Sequence, residues 1–379
     1  GMNLSLYGIG GKWLMVDLGV SFGDDTTPGV DVVVPDVSFL DQIRDQLTGL
    51  VLTHAHEDHL GAVHHLWHRL RCPVYATPFA CGLLRRKLGE AGIEAKVPLF
   101  EVPCGGGIEI DPFRVDFIQM AHSIPETQAL AIRTEAGTVL HVTDWKLDPS
   151  PVIGPVTDED TLRRLGREGV IAMMSDSTNI FVDGRSGSEA DLAPSLTKLV
   201  GRCRGRVAVA AFASNVARLQ TITGAAEANK RNVALVGRSL RNMDAIARES
   251  GYLGRLDSFL GERDVGYLPR DKVLMAVTGS QGEPRAALSR IATDNHPNVS
   301  LEKGDTVIFS SRVIPGNEKA IGKVQNELAR RGIEIITEDD HFVHVSGHPA
   351  RDEVAHMYDL VRPSLVVPIH GETRHLAEQ

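Results

Sequence analysis

The chain has 379 residues, of which 42% are hydrophobic and 23% are charged. This length exceeds one ordinary domain and predicts two, and the composition is that of a globular protein and not of a disordered or fibrous one. The net charge of −9 argues mildly against a polyanionic substrate, because affinity for nucleic acid comes from neutralising phosphates. Bound metal ions or local arginine clusters would offset that charge, so charge alone does not decide the substrate class.

The cysteines and the apolar stretches of the sequence indicate the cellular compartment in which the protein is expected. The four cysteines are scattered without a CxxC pair, which indicates reduced thiols: Cys72, Cys81, Cys104 and Cys203. No apolar stretch approaches the length of a membrane span, and no signal peptide opens the sequence. We therefore expect a cytoplasmic protein without a membrane partner. Strand-like sequence begins almost at residue 1 and the chain stops shortly after His370, so we also expect truncation at both ends.

A short apolar strand leads into a nonapeptide that contains three histidines and an aspartate: His54, His56, Asp58 and His59. In an extended segment the two histidines that are two positions apart point the same way, and the other two residues lie on the following turn. Imidazoles and carboxylates are the ligands that zinc prefers. One metal cannot use all four together with ligands from elsewhere, so the spacing suggests two neighbouring metals. A chance cluster of solvated histidines is the alternative, and it explains neither the placement after a strand nor the further residues below.

An amphipathic helix is predicted after this cluster, with an apolar stripe made by Leu60, Val63, Trp67 and Leu70. His64 and His68 are four residues apart on its other face, a spacing that can chelate a metal. No carboxylate at a strand end is associated with them, so we interpret this face as solvated.

Three more polar residues follow apolar strands in the first half of the chain: Asp17, His122 and Asp144. A single such residue is usually a helix cap or a satisfied polar group. Each of the three would lie at a strand end, where loops gather ligands from distant parts of the sequence.

From about residue 191 the pattern changes to strand–loop–helix units, which predict a parallel sheet covered on both faces. The strands end in small polar residues or arginine, including Ser214, Arg238, Ser280, Ser311 and Arg312. Ligands of open α/β sheets bind at this carboxyl edge, so these residues are candidates for binding phosphate groups. The alternative is that they only cap helices.

Histidine-rich sequence then returns, with His344, Ser346 and His348 followed by an apolar strand and His370. A metal-type site divided by a segment of different architecture indicates an inserted domain. We predict a first part at 1–190, an insertion at 191–343 and a return at 344–379.

The nonapeptide resembles the HxHxDH signature of the metallo-β-lactamase superfamily. Asp17, His122 and Asp144 match further motifs of that superfamily, in the same order along the chain. The insertion resembles that of its β-CASP branch, in which Asp176, His348 and His370 match motifs A, B and C. The sequences of residues 278–284 and 311–318 are similar to those of the bacterial ribonuclease J family. The resemblance implies an α/β fold: an αββα metallo-β-lactamase sandwich with an inserted β-CASP domain. Ala217 departs from the pattern, since it stands where a histidine is expected.

The resemblance also implies roles for individual residues. One zinc would be bound by His54, His56, His122 and Asp144, and a second by Asp58, His59, Asp144 and His370. Manganese could occupy the same ligands. Asp17 would orient the histidine loop from outside the ligand set. His348 would be the general acid and Asp176 would orient it, with Asp58 both a ligand and a catalytic residue. His344 and Ser346 would bind phosphate.

The implied activity is zinc-dependent hydrolysis of RNA phosphodiester bonds in RNA processing and decay, 5′→3′ exonucleolytic with endonucleolytic activity. Histidine at motif C points to RNA, and the substrate would be single-stranded with a 5′-monophosphate. The resemblance further implies a homodimer or homotetramer at full length. Two alternatives stay open: a small-molecule hydrolase of the lactonase or glyoxalase II type, and a non-catalytic RNA-binding subunit.

Overall fold

A computed structural model describes residues 2–23 and 26–379, and Gly1, Asp24 and Asp25 lie outside the described residues. The chain divides into two compact units. Unit 1 comprises Gly1–Pro149, Gly154–Ser186 and Gly347–Gln379, and unit 2 comprises Ser150–Ile153 and Gly187–Ser346. The domain boundaries predicted at 190/191 and 343/344 stay predictions.

The strands of the described residues are short, and in chain order they are β1 Ser5–Ile9, β2 Lys12–Val16, β3 Ser21–Phe22, β4 Val32–Val33, β5 Leu47–Val51, β6 Val74–Ala76, β7 Leu99–Glu101, β8 Gly107–Ile110, β9 Phe113–Gln119, β10 Gln128–Thr134, β11 Gly137–Val142, β12 Ala172–Asp176, β13 Val207–Ala210, β14 Asn232–Val236, β15 Val273–Val277, β16 Thr306–Phe309, β17 Glu334–Ile336 and β18 Val366–Ile369. The α-helices are α1 Glu57–Leu60, α2 Val63–Leu70, α3 Pro78–Glu90, α4 Glu159–Glu168, α5 Leu192–Arg202, α6 Val216–Ala228, α7 Arg238–Glu249, α8 Ala287–Ala292, α9 Glu318–Arg330, α10 Arg351–Val361 and α11 Thr373–Glu378. Within the ranges that the structure describes, no helix combines the length and the apolar character needed to cross a bilayer.

Unit 1 is built on two sheets, ordered β1-β2-β5-β6-β7 and β18-β12-β11-β10-β9-β8. Side chains of both sheets form one core, in which Leu14 and Val51 join Val115 and Ile132. Helices α4 and α10 pack on the outer face of the second sheet, and α3 packs beside β7 of the first. Each sheet thus buries one face against the other sheet and its second face under helices. The expected αββα sandwich is confirmed.

The segment after the histidine cluster differs from its prediction. Two helices replace the single one, because the backbone N–H of Ala62 bonds to the carbonyl of Leu18 between α1 and α2. The buried stripe of α2 uses Leu66, and Trp67 is only half-buried. The predicted stripe therefore included Trp67 where the structure buries Leu66.

The histidine face of α2 is only partly solvated. His68 is exposed, as expected. His64 is half-buried and its ring lies 3.8 Å from that of His65. Neither His64 nor His68 belongs to a cluster able to hold a metal among the described residues.

Unit 2 is a five-stranded sheet ordered β14-β15-β13-β16-β17, and every strand pair in it is parallel. Residues of β13–β16 are almost fully buried, and α8 and α9 pack on one face of the sheet. This is the arrangement that continuous apolar strands alternating with helices predict. An ion pair that the sequence does not reveal lies inside this unit, where Arg218 Nε donates to Glu189 Oε1 over 2.6 Å.

Candidate metal centre

The candidate site lies where strands of unit 1 end. In the first sheet the parallel strands β2 and β5 lead to Asp17 and His54. In the second, the parallel strands β11, β12 and β18 lead to Asp144, Asp176 and His370. Carboxyl ends of parallel strands meet at one edge of a sheet, so residues far apart in sequence converge there.

Asp17 holds the turn that carries the histidines. Its backbone is left-handed, with φ 60°. Its Oδ1 accepts from the backbone N–H of Thr53 over 2.8 Å, and its Oδ2 lies 2.7 Å from Nδ1 of His59. A partner at Nδ1 leaves Nε2 of His59 to face the site, which is how carboxylates usually orient metal-binding histidines. Asp17 is in none of the clusters able to hold a metal in the described chain, and its Oδ2 contacts the ring of His59.

The first cluster brings together His54, His56, His122 and Asp144, whose ligand atoms lie within 4.8 Å of one another. The Nε2 atoms of His54 and His122 each lie 3.1 Å from Nδ1 of His56. Asp144 Oδ2 is 3.8 Å from His54 Nε2 and 3.7 Å from His122 Nε2. These are the four residues predicted for one zinc.

The second cluster brings together Asp58, His59, Asp144 and His370 within the same 4.8 Å. His370 Nε2 is 3.0 Å from Asp58 Oδ2 and 3.5 Å from Asp144 Oδ1. His59 Nε2 is 3.3 Å from Asp144 Oδ2. These are the residues predicted for the second zinc, and Asp144 is common to both clusters.

The donor set fits divalent cations. Asp144 is 2% exposed, and among the described residues its Oδ1 is buried without a hydrogen-bond partner. Buried carboxylate oxygens are almost always hydrogen-bonded, so an orphaned one needs a cation or other partner. Imidazole nitrogens and carboxylate oxygens converge on it from three segments of chain, which is the ligand chemistry of zinc and manganese.

Burial and neighbouring carboxylates shift the pKa values of the histidines in opposite directions. Burial lowers the pKa of His54 and His122 well below the usual value and that of His56 to about 4. Burial acts the same way on His59, but the charges of Asp144, Asp58 and Asp17 outweigh it and raise its pKa. Neutral imidazole is the form that binds metal, so the first three rings are already in the ligand state at neutral pH.

His348 and Asp176 form a pair at the rim of these clusters. His348 Nδ1 lies 2.7 Å from Asp176 Oδ2 and 4.0 Å from Asp144 Oδ2. The side chain of Asp176 is fully buried, whereas that of His348 is 23% exposed. These two residues also form a third cluster with Asp144 and His370 that could hold a metal. The geometry therefore allows His348 to be a proton donor or a ligand.

Two contacts to the rings of predicted ligands were not themselves predicted. Thr178 Oγ1 lies 2.7 Å from Nδ1 of His370, and the carbonyl oxygen of Gly347 lies 2.6 Å from Nδ1 of His122. Thr178 stands two residues after Asp176 within motif A, which was its only sequence signal. Gly347 acts through its backbone, which no residue pattern reveals.

The candidates for RNA phosphates lie in unit 2. Ser214, Arg238, Ser280 and Ser311 follow the ends of β13, β14, β15 and β16, at the carboxyl edge of that sheet. Arg238 and Arg312 are exposed, Ser214, His344 and Ser346 are half-buried, and Ser280 and Ser311 are buried. Ala217 is buried in α6.

Comparisons with known proteins agree with this architecture. Residues 25–165 match the beta-lactamase superfamily domain, 204–328 match the "Ribonuclease J, beta-CASP domain", and 332–379 match the "Zn-dependent metallo-hydrolase RNA specificity domain". A solved structure of a protein of unknown function from Enterococcus faecalis V583 shares the fold, with a TM-score of 0.66, 18% identity and coverage of 100% of this chain and 92% of that one. Fold and site together define a metallo-hydrolase of the beta-lactamase superfamily that carries a β-CASP domain.

Sequence relatives narrow that class. Ribonuclease J of Sinorhizobium meliloti is 48% identical over 99% of this chain and 67% of its own length. Ribonuclease J of Mycolicibacterium smegmatis is 43% identical over 99% and 67%, and that of Helicobacter pylori J99 is 38% identical over 96% and 53%. The chain belongs to the ribonuclease J family, and it spans between about half and two thirds of the length of these relatives.

Proposed function

We propose that this chain carries the catalytic part of a ribonuclease that hydrolyses RNA phosphodiester bonds, acting as a 5′→3′ exonuclease with endonuclease activity in RNA processing and decay. The observation that supports it most is the pair of four-residue clusters sharing Asp144, with the His348–Asp176 pair at their rim. Family membership supplies RNA as the substrate class.

The proposed ligands are His54, His56, His122 and Asp144 for one zinc, and Asp58, His59, Asp144 and His370 for the other. Zinc or manganese ions held by these residues would supply an activated water near neutral pH and electrostatic stabilisation of the phosphoryl group. Asp17, Thr178 and the carbonyl of Gly347 orient the imidazoles.

His348 delivers a proton to the 3′-oxygen that leaves. Its Nδ1 faces Asp176, which stabilises the protonated ring and fixes its orientation. Asp58 lies beside His370, and we assign it two roles: metal ligand and catalytic residue.

Contacts to RNA are proposed for His344 and Ser346, for Ser214, Ser280 and Ser311, and for Arg238 and Arg312. The exposed arginines are the strongest of these, because neutralised phosphates dominate affinity for nucleic acid. The contribution of each arginine to phosphate binding is measured by the salt dependence of RNA binding in Arg238→Ala and Arg312→Ala. Assembly into dimers or tetramers, and a cytoplasmic location, stay predictions.

Paired digestions test the proposed function. A 5′-monophosphorylated RNA and its triphosphorylated twin are incubated with the zinc-loaded protein, with and without chelator. We expect faster loss of the monophosphorylated RNA from its 5′ end, abolished by chelation and restored by zinc. A lactone and a glutathione thioester are assayed beside them. Zinc-loaded protein that hydrolyses either small molecule and leaves both RNAs intact would replace this proposal with the small-molecule alternative.

A further inference from the structure

Glu353 is a buried carboxylate outside the ligand clusters. It lies in the first turn of α10, five residues after His348, and is 0% exposed. Ionised carboxylates are almost never buried without partners, because leaving water is costly. The structure shows which groups compensate for this burial.

Both oxygens of Glu353 accept two hydrogen bonds. Oε1 accepts from the backbone N–H of Leu147 over 2.8 Å and from the hydroxyl of Ser186 over 3.0 Å. Oε2 accepts from the backbone N–H groups of Ser186 and Ala350 over 2.7 and 2.9 Å. A carboxylate offers about four lone-pair positions, so the acceptor capacity of this side chain is full.

A capping role for α10 explains only one of these bonds. The bond from Ala350 is the usual reach of an N3 glutamate back to the N-cap. The bonds from Leu147 and Ser186 span 206 and 167 residues of sequence. Glu353 therefore joins three segments through Leu147, Ser186 and Ala350. Leu147 lies in the loop after Asp144, Ser186 lies ten residues after Asp176, and Ala350 lies in the turn after His348.

Two further contacts close this arrangement around the site. The N–H of Lys146 donates to the carbonyl of Ala121 over 2.8 Å, next to His122. The carbonyl of Gly347 faces Nδ1 of His122. The segments carrying His122, the loop after Asp144 and the turn of His348 thus contact one another in a ring, and Glu353 holds the contact between the last two.

We infer that Glu353 is a positioning residue for the metal centre, setting Asp144 and His348 relative to each other through Leu147 and Ala350. This inference rests on the proposed function only because it takes the metal ligands from it. Its effect on zinc affinity can be measured without RNA. Substitution of groups that orient ligands typically lowers metal affinity about 10–100-fold.

Glu353→Gln is the direct test, because it keeps the size and places an NH₂ group where two donors already point. Zinc affinity is measured by competition with a chromophoric chelator at a temperature where circular dichroism shows the variant folded. We expect zinc affinity to fall about 10–100-fold, and kcat for RNA to fall more than KM changes. Asp352→Asn, an exposed carboxylate on the same turn, is the matched control and should behave as wild type.

Two more variants separate positioning from general stability. Leu165→Ala weakens the core that α4 and α10 share and should lower thermal stability without lowering zinc affinity. Ser186→Ala removes one donor and should reduce zinc affinity roughly 3–10-fold, and it decides the question if Glu353→Gln does not fold. Wild-type zinc affinity in Ser186→Ala, or in a folded Glu353→Gln, would overturn the inference. If the zinc-loaded wild type cleaves no RNA, a lower zinc affinity in Glu353→Gln would leave the inference standing and reject the proposed substrate.

Discussion

The role of His348 decides the mechanism at the site, and its position allows two roles. Its Nδ1 lies 2.7 Å from Asp176 Oδ2 and 4.0 Å from Asp144 Oδ2. This position fits a proton donor beside the proposed metal centre, and it also fits a ligand of that centre. Metal content and cleavage rate respond differently to these roles, and measuring both distinguishes them.

We expect His348→Ala to reduce RNA cleavage about 10²–10⁴-fold while metal content stays at the wild-type value, since general acids typically contribute that much. Elemental analysis and single-turnover cleavage are measured on the same preparation. His356→Ala, which removes a partly exposed histidine paired with Glu159, is the control and should keep both values. Metal lost together with activity would make His348 a ligand.

The pH dependence of the His348–Asp176 pair follows from its electrostatics in the metal-free protein. Burial disfavours the charged ring, but the charges of Asp176 and Asp144 outweigh it and raise the pKa of His348 to about 9. Because the folded-state value is raised, the pair stabilises the metal-free fold fully below about pH 6.5, and this contribution is lost as pH rises through about 9. Nuclear magnetic resonance of the metal-free protein should show this titration, moved toward the ordinary value in Asp176→Asn. An ordinary pKa in the wild type would contradict it.

Among the elements, the short helix α1 depends on close approach of the backbone that follows β2. Leu18 N–H donates to the carbonyl of His59 over 2.6 Å, and Asn3 N–H donates to that of Asp58 over 2.9 Å. A Cβ on Gly19 would lie 1.6 Å from the carbonyl oxygen of Asp58. Only glycine permits this contact, so the position of the ligands on α1 depends on a residue that binds nothing.

Gly19→Ala should therefore displace α1, lower zinc content and reduce thermal stability, because backbone atoms cannot move aside as a flexible side chain does. Gly224→Ala is the matched control: it lies in α6 with no atom within 4 Å of the new Cβ. Alanine is favoured over glycine in helices by about 0.8–1 kcal/mol, so the control should be neutral or stabilising. Wild-type zinc content in Gly19→Ala would show that α1 is not held by this contact.

In the molecule as a whole, the predicted ligands come from four stretches of chain, and those at His54 and His370 are separated by all of unit 2 in sequence. Metal ions that bind the folded state and not the unfolded chain stabilise it by mass action. The metals would then connect parts of unit 1 that the sequence separates most widely.

Protein purified without chelator should contain close to two divalent metals per chain, and their removal should lower the melting temperature reversibly. At a free metal concentration 100 times Kd the stabilisation from one site is about 2.7 kcal/mol. Inductively coupled plasma mass spectrometry and calorimetry measure both quantities. His68→Ala is the control, since this exposed histidine is in neither cluster. A reproducible value near one metal would remove the two-metal arrangement.

Local patterns predicted the histidine cluster and the inserted domain, whereas the two ligand sets and the αββα fold class came from the resemblance to the metallo-β-lactamase superfamily. Histidines two apart after an apolar strand point the same way, so His54 and His56 could be named from the residues alone. Asp144 was named because it matches a motif of the superfamily. Continuous apolar strands alternating with helices likewise predicted the parallel sheet of unit 2.

Contacts between distant segments could not be predicted in this way. The four bonds of Glu353, the hydroxyl of Thr178 beside His370 and the carbonyl of Gly347 beside His122 depend on the path of the chain. Periodicity reports which face of one element is buried, and it carries no information on which donor of another segment arrives there. For the same reason the break before α2 and the half-burial of His64 appeared only in the folded chain, where neighbouring backbone competes with the local pattern.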